Sequence, residues 1–409
     1  MKTVNRWFYA GLGVILLMFA GILYAWSVLS APIAEEFAAW TTAQLSFVFT
    51  LTMICFCLGG LVGGLLGKRV SPRICSWISA ALFLAGWLIT GRIQALWQIC
   101  LSFGVLCGFG SGILYNAVMS TVGKWFTDRQ GLISGILLMG FGISSFLAGK
   151  IYRATLVSWR TSFTVIGILS AAVTGLGGWF LRRPREGEIA FSGQKNPVGQ
   201  QTPNARPRES FTPREAMATA RFWLFYGWAI LLSAAGLAVV SQANGILTEL
   251  GANITAGTAA TLIGLISVFN GVGRILSGAS YDRFGRRVTM FSVSVSFILA
   301  AIALFAGLKL RSLLLVTVGF ILGGLSYGAV PPNNSAFAGA TFGMEHYPII
   351  YSLINTNLVI ASFGSTVAGA LYDASGSYVS ACGMIVLCAI LGAVASRGIT
   401  ACERKRENP

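Results

Sequence analysis

The sequence predicts an all-α membrane protein, with twelve transmembrane helices arranged as two pseudo-symmetric six-helix bundles. Three observations predict it. First, the 409 residues are 55% hydrophobic and only 10% charged, whereas a soluble domain carries roughly a quarter charged residues. Second, apolar runs near the ~20 residues that span a bilayer recur along the whole chain. Third, one polar segment divides these runs into six and six. This composition excludes an ordinary soluble enzyme, a disordered chain and a secreted disulfide scaffold.

The first apolar run, about Phe8 to Leu29, is long enough to span and lacks the small-residue exit of a cleavable signal peptide. It reads as the first membrane helix. The predicted spans are 8–30, 42–66, 73–92, 95–119, 130–152, 158–181, 222–247, 257–281, 288–308, 312–338, 347–371 and 377–397. Charged or turn residues close each of them. The connections are short except for 182–221, where Pro184, Pro197, Pro203, Pro207 and Pro213 stand among Arg, Gln, Ser and Gly. Such a composition buries no core and reads as a linker. The predicted organisation is a bundle over 1–181, a cytoplasmic linker over 182–221 and a second bundle over 222–409.

Charge orients the chain. Lys and Arg number 29 against 13 Asp and Glu, a formal charge of +16. In a soluble chain this excess suggests nucleic acid, but here the cations sit between apolar runs. Placing both termini and the even-to-odd connections on one side gathers 22 of the 29 cations there. Arg92, Lys150, Arg153, Arg160, Lys309 and Arg311 fall on the other side. The rich side is expected to be cytoplasmic, in a plasma or inner membrane. Nucleic acid is excluded as a partner.

The eight cysteines form no CxxC pair, and His346 is the lone histidine. Neither a metal site nor a disulfide framework is indicated. No nucleophile–histidine pair or phosphate loop marks an enzyme. Glycines concentrate inside the helices, as in Gly60, Gly63 and Gly64 and in Gly104, Gly108, Gly110 and Gly112. Small faces of this kind let helices pack closely.

The two halves carry matching punctuation. The eighth run closes on a G-x-x-x-D-R-x-G-R-R pattern from Gly278 to Arg287, and the second closes on Gly64, Lys68, Arg69 and Arg73. Equivalent signals in two six-helix halves indicate an internal repeat, an architecture of secondary transporters.

Here the residues resemble a family. The 278–287 pattern is similar to the loop signature of the major facilitator superfamily, with Lys68 in the first half where that family usually has Asp. A narrower resemblance, covering nearly the whole chain, is to the oxalate/formate antiporter and monocarboxylate transporter branch. It rests on Asn5 to Tyr9, Tyr24 with Trp26, and Gly108 to Tyr115. It rests also on Lys124, Trp125, Phe126, Asp128 and Arg129, on Phe269, Asn270, Gly271 and Arg274, and on Gly323 to Ser335. The resemblance implies that Arg274 grips a carboxylate and that Tyr24, Tyr115 and Tyr327 line a central site. Asp128, Arg129, Asp282, Arg283 and Arg286 would form the gating loops. It also implies a second cation on the eleventh helix, yet no Lys or Arg stands between Tyr347 and Leu371. Asn355 and Asn357 fall near that position. Phe141 and Leu322 replace an expected Tyr and Trp, which makes the pocket less polar.

Arg274 has a physical requirement of its own. It cannot deprotonate, and an ion at the bilayer centre costs ~3 kcal/mol on insertion scales. No Asp or Glu lies in the interior of a predicted span. Snorkelling toward Asp282, ~12 Å along the helix at 1.5 Å per residue, offers one solution. A small organic anion paired bidentately with the guanidinium offers another. One cation neutralises one carboxylate, which favours a monocarboxylate of lactate or pyruvate size over a dicarboxylate. Asn270, one turn before Arg274, shares its helix face and is placed to bond the anion. Asn116 is a further candidate.

The expectation is a secondary active transporter of small monocarboxylates working by alternating access, as a monomer, without a cofactor. Proton symport follows from the resemblance to monocarboxylate transporters; anion exchange of the oxalate/formate type is the alternative. A non-transporting membrane anion sensor is the alternative of another class. The expected partners are a small organic monoanion and the lipid bilayer.

Overall fold

The computed structural model describes residues 5–40, 42–154, 158–185, 188, 210–251, 254 and 256–407. Most of the predicted 182–221 linker, including Pro197, Pro203 and Pro207, lies outside the described residues.

The chain is helical throughout the described spans. The first half contains α1 (Arg6–Ala20), α2 (Thr42–Arg69), α3 (Pro72–Thr90), α4 (Gly108–Gly123), α5 (Gln130–Ala154) and α6 (Trp159–Phe180). The second half contains α7 (Ala220–Leu250), α8 and α9 within Ala256–Lys309, α10 (Leu313–Phe342), α11 in three pieces and α12 (Val379–Glu407). Among the described residues, ten helical stretches are long and apolar enough to cross a bilayer. One of these, Thr261–Lys309, holds two predicted spans, and α5 supplies another. The twelve-helix architecture is therefore accounted for, and the protein is a multi-pass membrane protein.

Local chemistry sets the boundaries. Asn5 caps α1 by accepting from the Trp7 amide at 3.0 Å, Ser71 caps α3 ahead of Pro72, and Ser158 and Thr219 cap α6 and α7. Each side-chain oxygen takes one orphan N–H of a helix start. The sequence places a loop between the eighth and ninth spans. The structure instead joins α8 to α9 through one non-helical residue, Gly285, with φ 78°. That left-handed backbone is open to glycine and costly to other residues, so the glycine of the D-R-x-G-R-R pattern is the hinge between two helices.

Several helices are interrupted within their spans. α1 passes into a tighter 3₁₀ turn over Gly21–Ala25. α4 is preceded by a wide π-helical stretch, Cys100–Cys107. Pro331 and Pro332 stand inside α10, where each removes one helical N–H and leaves the carbonyls of Tyr327 and Gly328 without their usual partners. α11 is broken into Tyr347–Asn355, Asn357–Ala361 and Phe363–Ser375.

Two compact units divide the chain: residues 1–211 with 339–353, and residues 212–338 with 354–409. In the first, glycines let α4 press onto α2. A Cβ on Gly108 would stand 2.7 Å from the Thr52 carbonyl, and one on Gly112 would stand 2.6 Å from the Gly60 nitrogen. Residues 345–353 belong to this unit through polar contacts. Asn116 donates to the Pro348 carbonyl at 2.6 Å and to Ser352 Oγ at 2.5 Å. Ser352 in turn donates to the Gly60 carbonyl at 2.8 Å, and Lys68 Nζ lies 2.9 Å from His346 Nδ1.

In the second unit α8 packs backbone to backbone against α10. A Cβ on Gly324 would meet the Ile266 carbonyl at 2.5 Å, and one on Gly328 would overlap the Asn270 carbonyl. Ser277 ties the pair further by donating to the Ala329 carbonyl at 3.2 Å.

Candidate functional site

Arg274 sits on α8 and is 8% exposed, as is Asn270. Arg274 Nε donates to Asn270 Oδ1 at 3.0 Å, one turn back along the helix. This bond fixes the guanidinium plane relative to the helix axis with a neutral amide rather than a carboxylate. Tyr327 of α10 is buried in the same unit. Gly236 of α7 makes room for that ring, since a Cβ there would stand 2.6 Å from Tyr327 Cβ.

Asn355, buried at the end of the first piece of α11, accepts from Asn334 Nδ2 at 3.3 Å. Asn357 uses both ends of its amide on the helix break. It donates to the Ile354 carbonyl at 2.6 Å and accepts from Ser233 of α7 at 3.2 Å. Its geometry is that of a residue holding the α11 interruption in place.

The first unit gathers the aromatic candidates around Phe141. Tyr24 lies 5.3 Å from that ring, Tyr115 5.3 Å and Phe56 5.9 Å. Tyr24 is carried by the 3₁₀ turn of α1. The carbonyls there are taken up from two sides, Ser111 donating to Ala20 at 2.6 Å and Ser144 to Gly21 at 2.7 Å. The Tyr115 hydroxyl is 2.6 Å from that of Tyr351, and Tyr351 stacks on Tyr347 at 5.3 Å. Asn116 is engaged by Pro348 and Ser352 as described above.

The residues assigned to the gating loops separate. Asp128 forms a two-pronged pair with Arg6, at 2.7 and 3.1 Å, while Arg129 approaches it at 3.9 Å. The pair docks the start of α1 on the α4–α5 connection, where Trp7 meets Phe126 edge-on at 5.1 Å and Tyr9 stacks on Trp125 at 4.4 Å. In the second unit Asp282 is exposed, Arg283 lies over Phe284 at 5.3 Å, and Arg286 donates to Thr400 Oγ1 at 3.2 Å.

Two residues that the sequence did not single out belong to the Arg274 neighbourhood. Asn333 donates to Ser277 Oγ at 2.8 Å and to the Ala329 carbonyl at 2.7 Å. Ser277 is one turn beyond Arg274 on α8. The Oδ1 atoms of Asn333 and Asn334 are buried and accept no hydrogen bond among the described residues. Such buried acceptors call for a donor. Consecutive asparagines after two prolines in an apolar run are the signal that marks them. Among the described residues no cluster of His, Cys, Asp and Glu is arranged to hold a metal.

Two six-helix halves, helices interrupted within the membrane and a buried guanidinium beside neutral polar groups define a secondary transporter. The chain belongs to the Major Facilitator Superfamily, which residues 11–366 match. It is similar to the oxalate:formate antiporter of Oxalobacter formigenes, 26% identical over 359 residues covering 85% of this chain and 81% of that one. It is also similar to monocarboxylate transporter 12 of Mus musculus, 30% identical over 134 residues, 32% of this chain and 27% of that one. These relatives place it in that branch of the superfamily. Its fold matches the superfamily transporter FucP in the outward conformation, with TM-score 0.64, 13% identity and 95% and 98% of the two chains covered. The protein is a transporter, not an enzyme.

Proposed function

We propose that the protein is a proton-coupled secondary transporter of small monocarboxylates of the lactate and pyruvate class, working by alternating access. The observation that carries this reading is Arg274, buried within a membrane span with its Nε held by the Asn270 amide. The planar guanidinium suits a carboxylate in a bidentate pair. Asn270 holds the fork in one orientation, so less side-chain freedom is lost when the anion arrives. The buried Asn334 Oδ1 supplies an acceptor suited to a substrate hydroxyl. Tyr24, Tyr115 and Phe141 form an aromatic cluster within the first unit. One guanidinium pairs with one carboxylate, which supports a substrate of single negative charge. Asp282, exposed at the end of α8, is the acid on the same helix to which coupling is assigned. The charge asymmetry of the connections supports a plasma-membrane carrier with both termini in the cytoplasm.

A second reading is exchange of small organic anions. It is favoured by the extent of the similarity to the oxalate:formate antiporter, 85% of this chain. A carrier with an empty arginine site would return slowly and a loaded one readily, which makes exchange the natural cycle.

The test is uptake of radiolabelled L-lactate into proteoliposomes, with and without an inward proton gradient. Gradient-driven accumulation is the expected result. Uptake only into vesicles preloaded with lactate or formate selects exchange. Absence of monocarboxylate flux under both conditions overturns the proposal.

A further inference from the structure

We propose that the groove between the start of α9 and the end of α12 is a binding site for an anionic phospholipid. The groove has a volume of about 690 Å³, and its lining includes Arg287, Val288, Phe291, Arg397 and Thr400. It lies where two apolar helices run out. α9 begins just past Gly285, and the membrane-crossing stretch of α12 ends at Cys402. The site is therefore at the boundary between bilayer and water, on the face that the charge asymmetry assigns to the cytoplasm.

Its chemistry has two parts. Arg287 and Arg397 are exposed cations at the mouth, and Arg397 is held over the Phe291 ring, 6.0 Å from its centroid. Arg286 adds a third guanidinium through its bond to Thr400. Beside these cations the wall is apolar and open: Val288 is 55% exposed and Phe291 45%. A free phosphate ester would engage only the arginines. A phospholipid engages both parts, its phosphate between the guanidiniums and its acyl chain along Val288 and Phe291. Basic pockets between membrane helices on the cytoplasmic side are suited to such headgroups.

The arrangement occurs again in the other half. A groove of about 470 Å³ lies between the α2–α3 junction and the residues after α6, lined by Lys68, Arg69, Arg73, Arg182 and Arg183. Arg73 lies over the Trp179 ring at 5.2 Å. The α2–α3 junction and α6 occupy the places in their half that the α8–α9 junction and α12 occupy in theirs. Each half thus has a basic helix junction, a basic end to its last helix and an arginine laid over an aromatic ring. In the first half Arg182 is committed to Glu188 at 2.7 and 2.9 Å, and Arg183 to the carbonyls of Gly67 and Val70. The α9–α12 groove, with exposed arginines and apolar walls, is the one that fits a whole lipid.

The test is native mass spectrometry of delipidated full-length protein titrated with phosphatidylglycerol or with phosphatidylcholine of the same acyl chains. Wild type is expected to bind phosphatidylglycerol more tightly. Two arginines near a surface contribute together about 30-fold in affinity, so Arg287→Gln/Arg397→Gln is expected to bind one lipid about 30-fold more weakly. Arg287→Lys/Arg397→Lys is expected to keep most of the affinity, which separates charge from folding. Glycerol phosphate in excess is expected not to displace the lipid. Equal binding of the two lipids by wild type overturns the proposal. So does unchanged phosphatidylglycerol binding by the glutamine variant, and displacement by glycerol phosphate would assign the groove to a soluble anion instead.

Discussion

Arg274 and Asn270 are joined by a hydrogen bond, Nε to Oδ1 at 3.0 Å, along one face of α8. The bond links a permanent charge to a neutral amide in a segment where charge is costly. It also makes the identity of residue 270 a test of the site. Asn270→Asp would set a carboxylate beside the guanidinium and neutralise it without an exogenous anion. The expected outcome is at least a tenfold loss of lactate uptake with normal yield and melting temperature. Asn270→Ala should cost less, because it removes only the bond that orients the guanidinium and leaves the charge un-neutralised. Initial rates of uptake for the two variants, at equal protein incorporation, check this ordering.

The α8–α10 seam predicts a contrast between Gly328, on α10 inside the seam, and Gly264, on α8 outside it. A Cβ on Gly328 would overlap the Asn270 carbonyl, whereas a Cβ on Gly264 would have nothing within 4 Å. Gly328→Ala should push α8 from α10, destabilise the protein by ~1–3 kcal/mol as other overpacked cores do, and impair transport by moving Asn270. Gly264→Ala should leave both melting temperature and uptake at wild-type values. Thermal melts in detergent, paired with uptake, distinguish local crowding from a general intolerance of substitution.

Acid should weaken one specific contact, between Glu36 and the start of α6. Glu36 accepts from Arg160 at 2.5 Å and from Trp159 Nε1 at 2.7 Å. The hydrogen bond from Arg160 is the main cause that holds the Glu36 carboxyl below its ordinary range. A carboxyl lowered in the folded state contributes stability above its unfolded value, ~4.3, and loses it as pH falls through the folded value. Glu36→Gln should therefore melt below wild type at pH 7, and the two curves should converge as pH falls from the unfolded value through the lower folded one. The measurement is melting temperature against pH for both proteins.

Much of this architecture was legible in the sequence because the bilayer demands long apolar runs, and a 3.6-residue helix satisfies its own backbone there. Arg274 was legible for the complementary reason: a charge inside such a run stands out. The interruptions were not. Nothing in the hydropathy of Gly21–Ala25 or Cys100–Cys107 announces a change of helical pitch, because apolar residues suit each form. Pro331 and Pro332 were visible, but their effect on the Tyr327 and Gly328 carbonyls depends on α10 continuing through them. The Arg6–Asp128 pair joins residues 122 positions apart. Both belonged to recognisable motifs, yet only packing reveals that one motif docks on the other. Asn333 and Ser277 were missed because small polar residues in membrane helices usually bond their own backbone; here they bond each other at 2.8 Å.

In the proposed cycle Arg274 holds the substrate carboxylate. Its most direct test is radiolabelled L-lactate uptake into proteoliposomes by wild type, Arg274→Lys and Arg274→Ala. Removing one partner of a buried charge pair costs ~3–5 kcal/mol, so the alanine variant should lose uptake by two orders of magnitude or more. Lysine keeps the charge but not the planar fork and should fall between. Wild-type uptake by Arg274→Ala, with the protein correctly inserted, would remove Arg274 from the substrate site.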